Sequence, residues 1–372
     1  MRVNLTTALL KAASTRTLDL LGVLYLADRM GHRIMTSPID ANTWCDTLKD
    51  PLKDTIQIFL DQHRIEAIDF SRQVTIHEHQ ESDWPRAHLS LDDAFLLLKS
   101  PLELLLENER SDWAFLYHLS TIEQRKILED ALHRGALSIR QGGGINEVNK
   151  SLKALKGDDL HLRLRRLRTW VLFDRDASPD DKTQPSKQSE ELRQTCEALQ
   201  AISGDPQDLA LSWRRLQRRS IENYLPLDAI RAHAPHAPEV SARIDALEAL
   251  RNTGPHIADC IDLKEGLLKD LKKHIKELIK EELDNFYKDA RSNEPAKRLA
   301  AYNRISPKNW PPPFDQLLPE QRAELLVGFG PKISDAFLIE DIDPQKFSNE
   351  FDARKDEPES AFQLINSILK EM

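Results

Sequence analysis

Between residues 99 and 173 the spacing of apolar positions changes repeatedly. PLELLL is a short apolar run with the length of a strand. SDWAFLYHL then sets Ala114, Phe115 and Leu119 on one helical face, with Ser111 as its cap. TIEQRKILEDALHRG reads as a second helix, stopped by Gly135. ALSIR is a short strand, GGG a turn, INEVNKSLKALKG a helix and RTWVLF another strand. This alternation of strands and helices predicts a parallel sheet with crossover helices.

The flanking segments read differently. MRVNLTTALLKAASTRTLDLLGVLYLADRM has the spacing of amphipathic helix, and RQVTIHEHQ alternates like a strand. DASPDDKTQPSKQSEE, residues 176–191, is a polar loop, and PLDAIRAHAPHAPEV marks a boundary near 235. Beyond it, one long amphipathic helix is predicted over 263–290, a candidate dimer interface, and KNWPPPFDQL is a rigid extended break. GFGPKISDAF, residues 328–337, caps and restarts helices and shows no chemistry. The expected organisation is an α+β unit over 1–98, a parallel α/β unit over 99–235 and a helical region over 236–372.

Composition narrows the function classes. The chain carries 52 basic and 61 acidic residues, a formal charge of -9, which argues against a simple nucleic-acid coat but leaves room for a local basic groove. Cys45, Cys196 and Cys260 lie far apart without CxxC spacing, so neither a zinc knuckle nor a disulfide framework is expected, and a reducing cytoplasm fits. Lys11, Arg16 and Asp19 break the N-terminal apolar runs, so neither a membrane span nor a secretory leader is expected.

The candidate chemistry centres on WVLFDRDASPDDK, where an apolar strand runs into Asp174 and Asp176. Residues two apart share a strand face, and ligands bind at the carboxyl ends of open parallel sheets. Two such charges repel by about 4 kcal/mol at 4 Å and an effective dielectric of about 20. A hard divalent cation, Mg²⁺ or Mn²⁺, removes that cost. Glu107 ends the LELLL strand and would lie on the same sheet edge. Glu222, followed by Asn223 and Tyr224, sits behind Arg215, Arg218 and Arg219, either as a surface ion pair or as a further ligand beside phosphate-binding arginines. The run LHLRLRRLRTW, with Arg166 and Arg168, and the run WRRLQRRS are read either as solvated faces or as a phosphate-backbone groove. Gly143 belongs to a tight turn leading onto a helix N-terminus.

In that order, LLLENERSDWAFL, GGGINEVNKSLKAL, VLFDRDA and RRSIENYL resemble the Toprim (topoisomerase–primase) domain. The chain is most similar to the bacterial branch of overcoming-lysogenization-defect-type nucleases and related anti-phage effectors. The resemblance covers the 99–235 segment. It implies a Rossmann-like core and Mg²⁺-dependent phosphodiester hydrolysis of DNA or RNA, with a separate ATPase or sensor protein as partner. It also implies Glu107, Asp174, Asp176 and Glu222 as metal ligands, Asp112 in support, and a lysine after the core, for which Lys264 is the first choice. The family's usual Gly after the Glu is Asn108 here, and Asp112 sits one residue late, which leaves Glu109 as an alternative to Glu107.

Three other readings compete. VLFDRDAS fits the first motif of haloacid-dehalogenase-like phosphatases, with Asp174 as nucleophile and Asp176 as acid/base, but Asp205 and Asp208 follow too soon to be its late acidic motif. A Toprim-like interaction module without turnover is the non-enzymatic alternative. GINEVNKS nearly matches a Walker A loop, but Asn149 replaces the glycine that must wrap the phosphates. His77, Glu78 and His79 invite a metal but offer no third ligand at close spacing, so they read as two histidines on one strand face.

Overall fold

A computed structural model describes the chain apart from residues 13–15, 66–71, 178–183, 203, 234–237, 272–274, 276–282, 306–315, 340 and 354–356. The predicted break at KNWPPPFDQL lies almost wholly outside the described residues. So do parts of the 176–191 loop, of the boundary near 235 and of the predicted long helix.

The chain begins with a strand, β1 (Arg2–Leu5), where the apolar spacing suggests helix. Val3 and Leu5 are buried, and β1 pairs in parallel with both β2 (Arg33–Met35) and β3 (Gln73–Ile76). Two ladders of backbone hydrogen bonds outweigh a local helical pattern. β4 (His88–Leu89) completes a sheet of order β2-β1-β3-β4. Helices α1 (Thr7–Ala12), α2 (Thr17–Arg29), α3 (Pro38–Cys45), α4 (Leu52–Ile65) and α5 (Leu91–Leu98) accompany it. With every strand parallel, the 1–98 unit is α/β rather than the expected α+β.

The second sheet follows the predicted alternation closely. β5 (Leu102–Leu106), α6 (Glu109–Leu119), α7 (Ile122–Arg134), β6 (Leu137–Gln141), α8 (Ile145–Lys153), α9 (Leu160–Leu167), β7 (Thr169–Phe173), α10 (Lys187–Gln200) and β8 (Ser212–Arg215) succeed one another. The strand order is β6-β5-β7-β8, all parallel. Pleating divides the apolar run: Leu104 and Leu106 pack with Trp170 and Leu172 on the α6/α7 side, while Leu105, Val171 and Phe173 meet Val148 and Leu192 from α8 and α10. The cap of α6 is Asn108, whose side chain accepts the Arg110 and Ser111 N–H groups, and not Ser111. α7 starts in a Thr121/Gln124 capping box and stops at Gly135, at φ +75°. α10 begins at Lys187, inside the segment read as loop.

The C-terminal helices share the core of the second sheet. One apolar cluster runs from Leu104 through Leu247, Phe286 and Phe337 to Ile368, so the boundary near 235 separates no hydrophobic core. The predicted helix over 263–290 does not start at 263: Lys264 lies in a turn, and helix appears at Leu267–Asp270 and again at Leu283–Ala290. The amino ends of the two sheets meet. Arg72, just before β3, is buried against the Leu167 and Ala210 carbonyls and pairs with Glu371 at 2.7 Å. Among the described residues no helix is long and apolar enough to cross a membrane.

Candidate active site

From β5 the chain crosses to β6 on one side and later returns to β7 on the other, which opens a crevice at the carboxyl ends of β5 and β7. Glu107 and Asp174, the first residues beyond those strands, meet there: the Asp174 N–H donates to Glu107 Oε1 at 2.9 Å. Glu109 is exposed at the start of α6, while Glu107 is the glutamate that meets Asp174. The glycine turn closes the floor. Gly143 and Gly144 donate their N–H groups to the Glu107 carbonyl at 3.1 and 3.2 Å, and a Cβ at Gly142 would strike Val148 and the Leu106 carbonyl. The turn therefore holds the Glu107 backbone.

Asp174 and Asp176 do not share a strand face. β7 ends at Phe173, and Asp176 adopts a left-handed backbone at φ +52°, pinned by its N–H to the Arg219 carbonyl at 2.7 Å. Asp174 is half-buried and Asp176 exposed at the mouth. Their proximity comes from a turn and not from the pleat.

Asp112 and Glu222 complete the acidic group. Asp112 is buried in the first turn of α6 and accepts the Asn108 N–H at 2.9 Å and the Ser111 hydroxyl at 3.3 Å. Its late spacing therefore does not remove it from Glu107. Glu222 lies in a short 3-10 turn, Ile221–Tyr224, with only 2% of its surface exposed. Its Oε1 meets Lys264 Nζ at 2.9 Å, while Oε2 is buried without a hydrogen-bond partner. Asn223 braces both segments: its Oδ1 accepts from Ser220, and its Nδ2 donates to the Ala258 and Ile261 carbonyls.

The electrostatics follow from crowding in a poorly solvated place. Burial pushes Glu107 up to about 7, with Asp112 and Asp176 adding to the rise, against the Asp174 N–H and Lys264, which oppose it. Burial likewise lifts Asp112 to about 7, with Glu222 adding repulsion. Asp174 is held well above its ordinary value by burial, then by Glu107 and Glu222. Burial lowers the pKa of Lys264, but Glu222, Asp174 and Asp262 together more than offset it, so the ammonium is held above its ordinary value. Among the described residues no three His, Cys, Asp or Glu side chains form a ready ligand set. The donors nevertheless have the chemistry of a hard-cation site: they are all carboxylate oxygens, mutually repelling, and one oxygen of Glu222 is orphaned.

The arginines assigned to a nucleic-acid groove are mostly structural. Arg166 is fully buried, binding Asp205 at 2.8 Å and the Leu155 and Gly157 carbonyls. Arg168 is buried against the Ser100 and Glu371 carbonyls. Both precede β7 and so stand at the amino end of the sheet, opposite the crevice. Arg218 is buried between Asp259, Glu350 and the Tyr224 ring, and Arg219 binds Asp262 and Asp270. Arg215 pairs with Glu190 at 2.9 Å. The buried guanidiniums have no face to offer a phosphate backbone, so the groove reading fails for them. Asp205, of the phosphatase reading, is taken up by Arg163 and Arg166 away from Asp174. Lys150, of the near-Walker segment, is an exposed surface partner of Glu147. His77 and His79 lie beyond the end of β3 with ring centroids 5.0 Å apart.

The sequence reading missed what holds Lys264. Asp262 Oδ1 accepts the Lys264 and Glu265 N–H groups, and its Oδ2 accepts Lys269 Nζ at 2.7 Å. Gly266, at φ +74°, presses its backbone against Val327 and Gly328, and Gly328 presses back on Lys264. Phe329 and Gly330 donate their N–H groups to the Leu263 and Lys264 carbonyls. GFG, read as a helix cap, is the brace of the lysine turn. Its two glycines, and Gly266 far upstream, were the available signal.

Compared with models of known families, with curated proteins and with solved structures, the chain gives no match in any of the three.

Proposed function

We propose that the crevice is the active site of a Toprim-type nuclease that hydrolyses phosphodiester bonds of DNA or RNA with Mg²⁺ or Mn²⁺, as an effector in anti-phage defence. One observation carries the reading: Glu107, Asp112, Asp174 and Glu222 crowd the carboxyl edge of a parallel sheet, with Lys264 reaching in from a braced turn. A fold gains no stability from such repulsion, and a site for a divalent cation accounts for it.

Glu107, Asp174, Asp176 and Glu222 would hold the ion. When bound, the metal would supply charge neutralisation at the scissile phosphate and lower the pKa of a bound water. The chain's own groups do the rest. Asp112 fixes the turn after Glu107 through the Asn108 N–H. The Asp174 N–H orients the Glu107 carboxylate. Lys264 brings a positive charge to the rim, where charge develops on a phosphate in the transition state. With the three cysteines buried as free thiols, we assign the activity to a reducing cytoplasm.

The test is cleavage of plasmid DNA and of tRNA by the purified protein and by Asp174→Ala, each with Mg²⁺, Mn²⁺ or EDTA. Metal-dependent cleavage by the wild type alone is the expected result. Equal cleavage by the variant, or cleavage in EDTA, overturns the reading.

A further inference from the structure

A cleft of about 960 Å³ adjoins the carboxylates and shares Lys264 with them. Its walls are the 264–269 turn, the Gly328–Gly330 segment and the helix Leu283–Ala290, and it is lined by Arg243, Lys264, Lys269, Tyr287 and Arg291. Lys264 and Lys269 already pair with Glu222 and Asp262, so the cationic character of the cleft comes from Arg243 and Arg291, set against Glu265 and Asp284. Arg243 is fixed by donating to the Gly328 carbonyl at 2.6 Å and lies over the Phe329 ring. Arg291 is exposed, with its guanidinium 5.6 Å from the centre of the Tyr287 ring. The Tyr287 hydroxyl and Arg243 Nε are buried without partners.

We infer that this cleft seats a single nucleic-acid strand and leads its backbone to the carboxylates. Proteins that hold single strands without regard to sequence combine a cationic groove with aromatic side chains on which bases stack. Here the cations and Tyr287 share one concave surface, and the last cation, Lys264, touches Glu222. This cleft, built from the C-terminal helices, stands in place of the groove that the sequence offered as one reading of Arg166, Arg168, Arg215, Arg218 and Arg219.

The inference rests on the nuclease reading for its purpose, but binding can be measured without turnover. The experiment uses Asp174→Ala protein in Mg²⁺ and follows the anisotropy of a fluorescein-labelled single-stranded oligonucleotide across a salt series. Arg291→Glu is expected to weaken binding about tenfold and to lower the slope of log affinity against log salt by about 0.7. Arg86→Glu, the same charge change on the exposed surface of the first unit, is the control and should leave both unchanged. Equal affinity for Arg291→Glu and its parent overturns the cleft. So does tighter binding of the matching duplex. Loss of binding in Arg291→Glu with no cleavage by the wild type keeps the cleft and rejects the nuclease, whereas cleavage with binding indifferent to Arg291 does the reverse.

Discussion

The backbone N–H of Asp174 donates to the side chain of Glu107 across two neighbouring strand ends, 2.9 Å apart. One carboxylate is thereby oriented by the main chain that carries the other. Glu107→Gln keeps an oxygen acceptor for that N–H and removes one charge from the group. Cleavage should fall by about 10³-fold or more, while the metal-free protein melts at a higher temperature than the wild type. An unchanged rate, or a lowered melting temperature, would count against the site.

The raised carboxyl pKa values make a signed prediction about pH. Glu107 and Asp112 keep their protons up to about 7 when folded, against ordinary values of 4.5 and 3.8. Between those limits the folded chain binds more protons than the unfolded one, so stability falls as pH rises. This contribution is complete below the ordinary values and is lost as pH passes through about 7. Melting of the metal-free protein between about pH 5 and pH 8 should show the decline, and Glu107→Gln should flatten it. Added Mg²⁺ should restore stability most at the alkaline end, where the carboxylates are free to bind it.

Gly266 and Gly328 bear on the site through sterics alone. A methyl group at Gly266 would be driven into the Val327 and Gly328 backbone, and one at Gly328 into the Lys264 backbone. Gly266→Ala also meets a left-handed φ of +74°. Each substitution should cost about 2 kcal/mol or more, measured by urea unfolding. What survives folded should lose cleavage, because Lys264 is displaced from Glu222.

Arg166 separates the structural arginines from a nucleic-acid groove. Its buried pair with Asp205 predicts that Arg166→Ala lowers stability by about 3–5 kcal/mol. The fraction that remains folded in the cold should bind oligonucleotide with the parent's affinity and salt slope. A selective loss of binding without loss of stability would return Arg166 to the groove.

The second sheet was legible because its signals are local and agree with one another. The length of LELLL, the Thr121 to Gly135 helix punctuation and the fully apolar TWVLF each specify one element. The meeting of Glu107 and Asp174 at one sheet edge was legible for the same reason, since each follows such a strand. What escaped depends on partners distant in sequence. β1 is a strand only because β2 and β3 flank it. A run of arginines looks alike whether it meets solvent or a buried Asp205. Lys264 is held by residues 325–330, which no spacing rule connects to it.

The meeting of the two sheets at their amino ends fixes the polarity of the whole molecule. The crevice with Glu107 opens at one pole, and the carboxyl edge of the first sheet, with Thr6 hydrogen-bonded to Glu78, opens at the other. Between the poles runs a seam in which the Arg72 guanidinium clasps the Leu167 and Ala210 carbonyls, Ser212 and Glu371. The two carboxyl edges therefore face away from each other, and this buried ionic rivet joins the sheets through their shared amino ends.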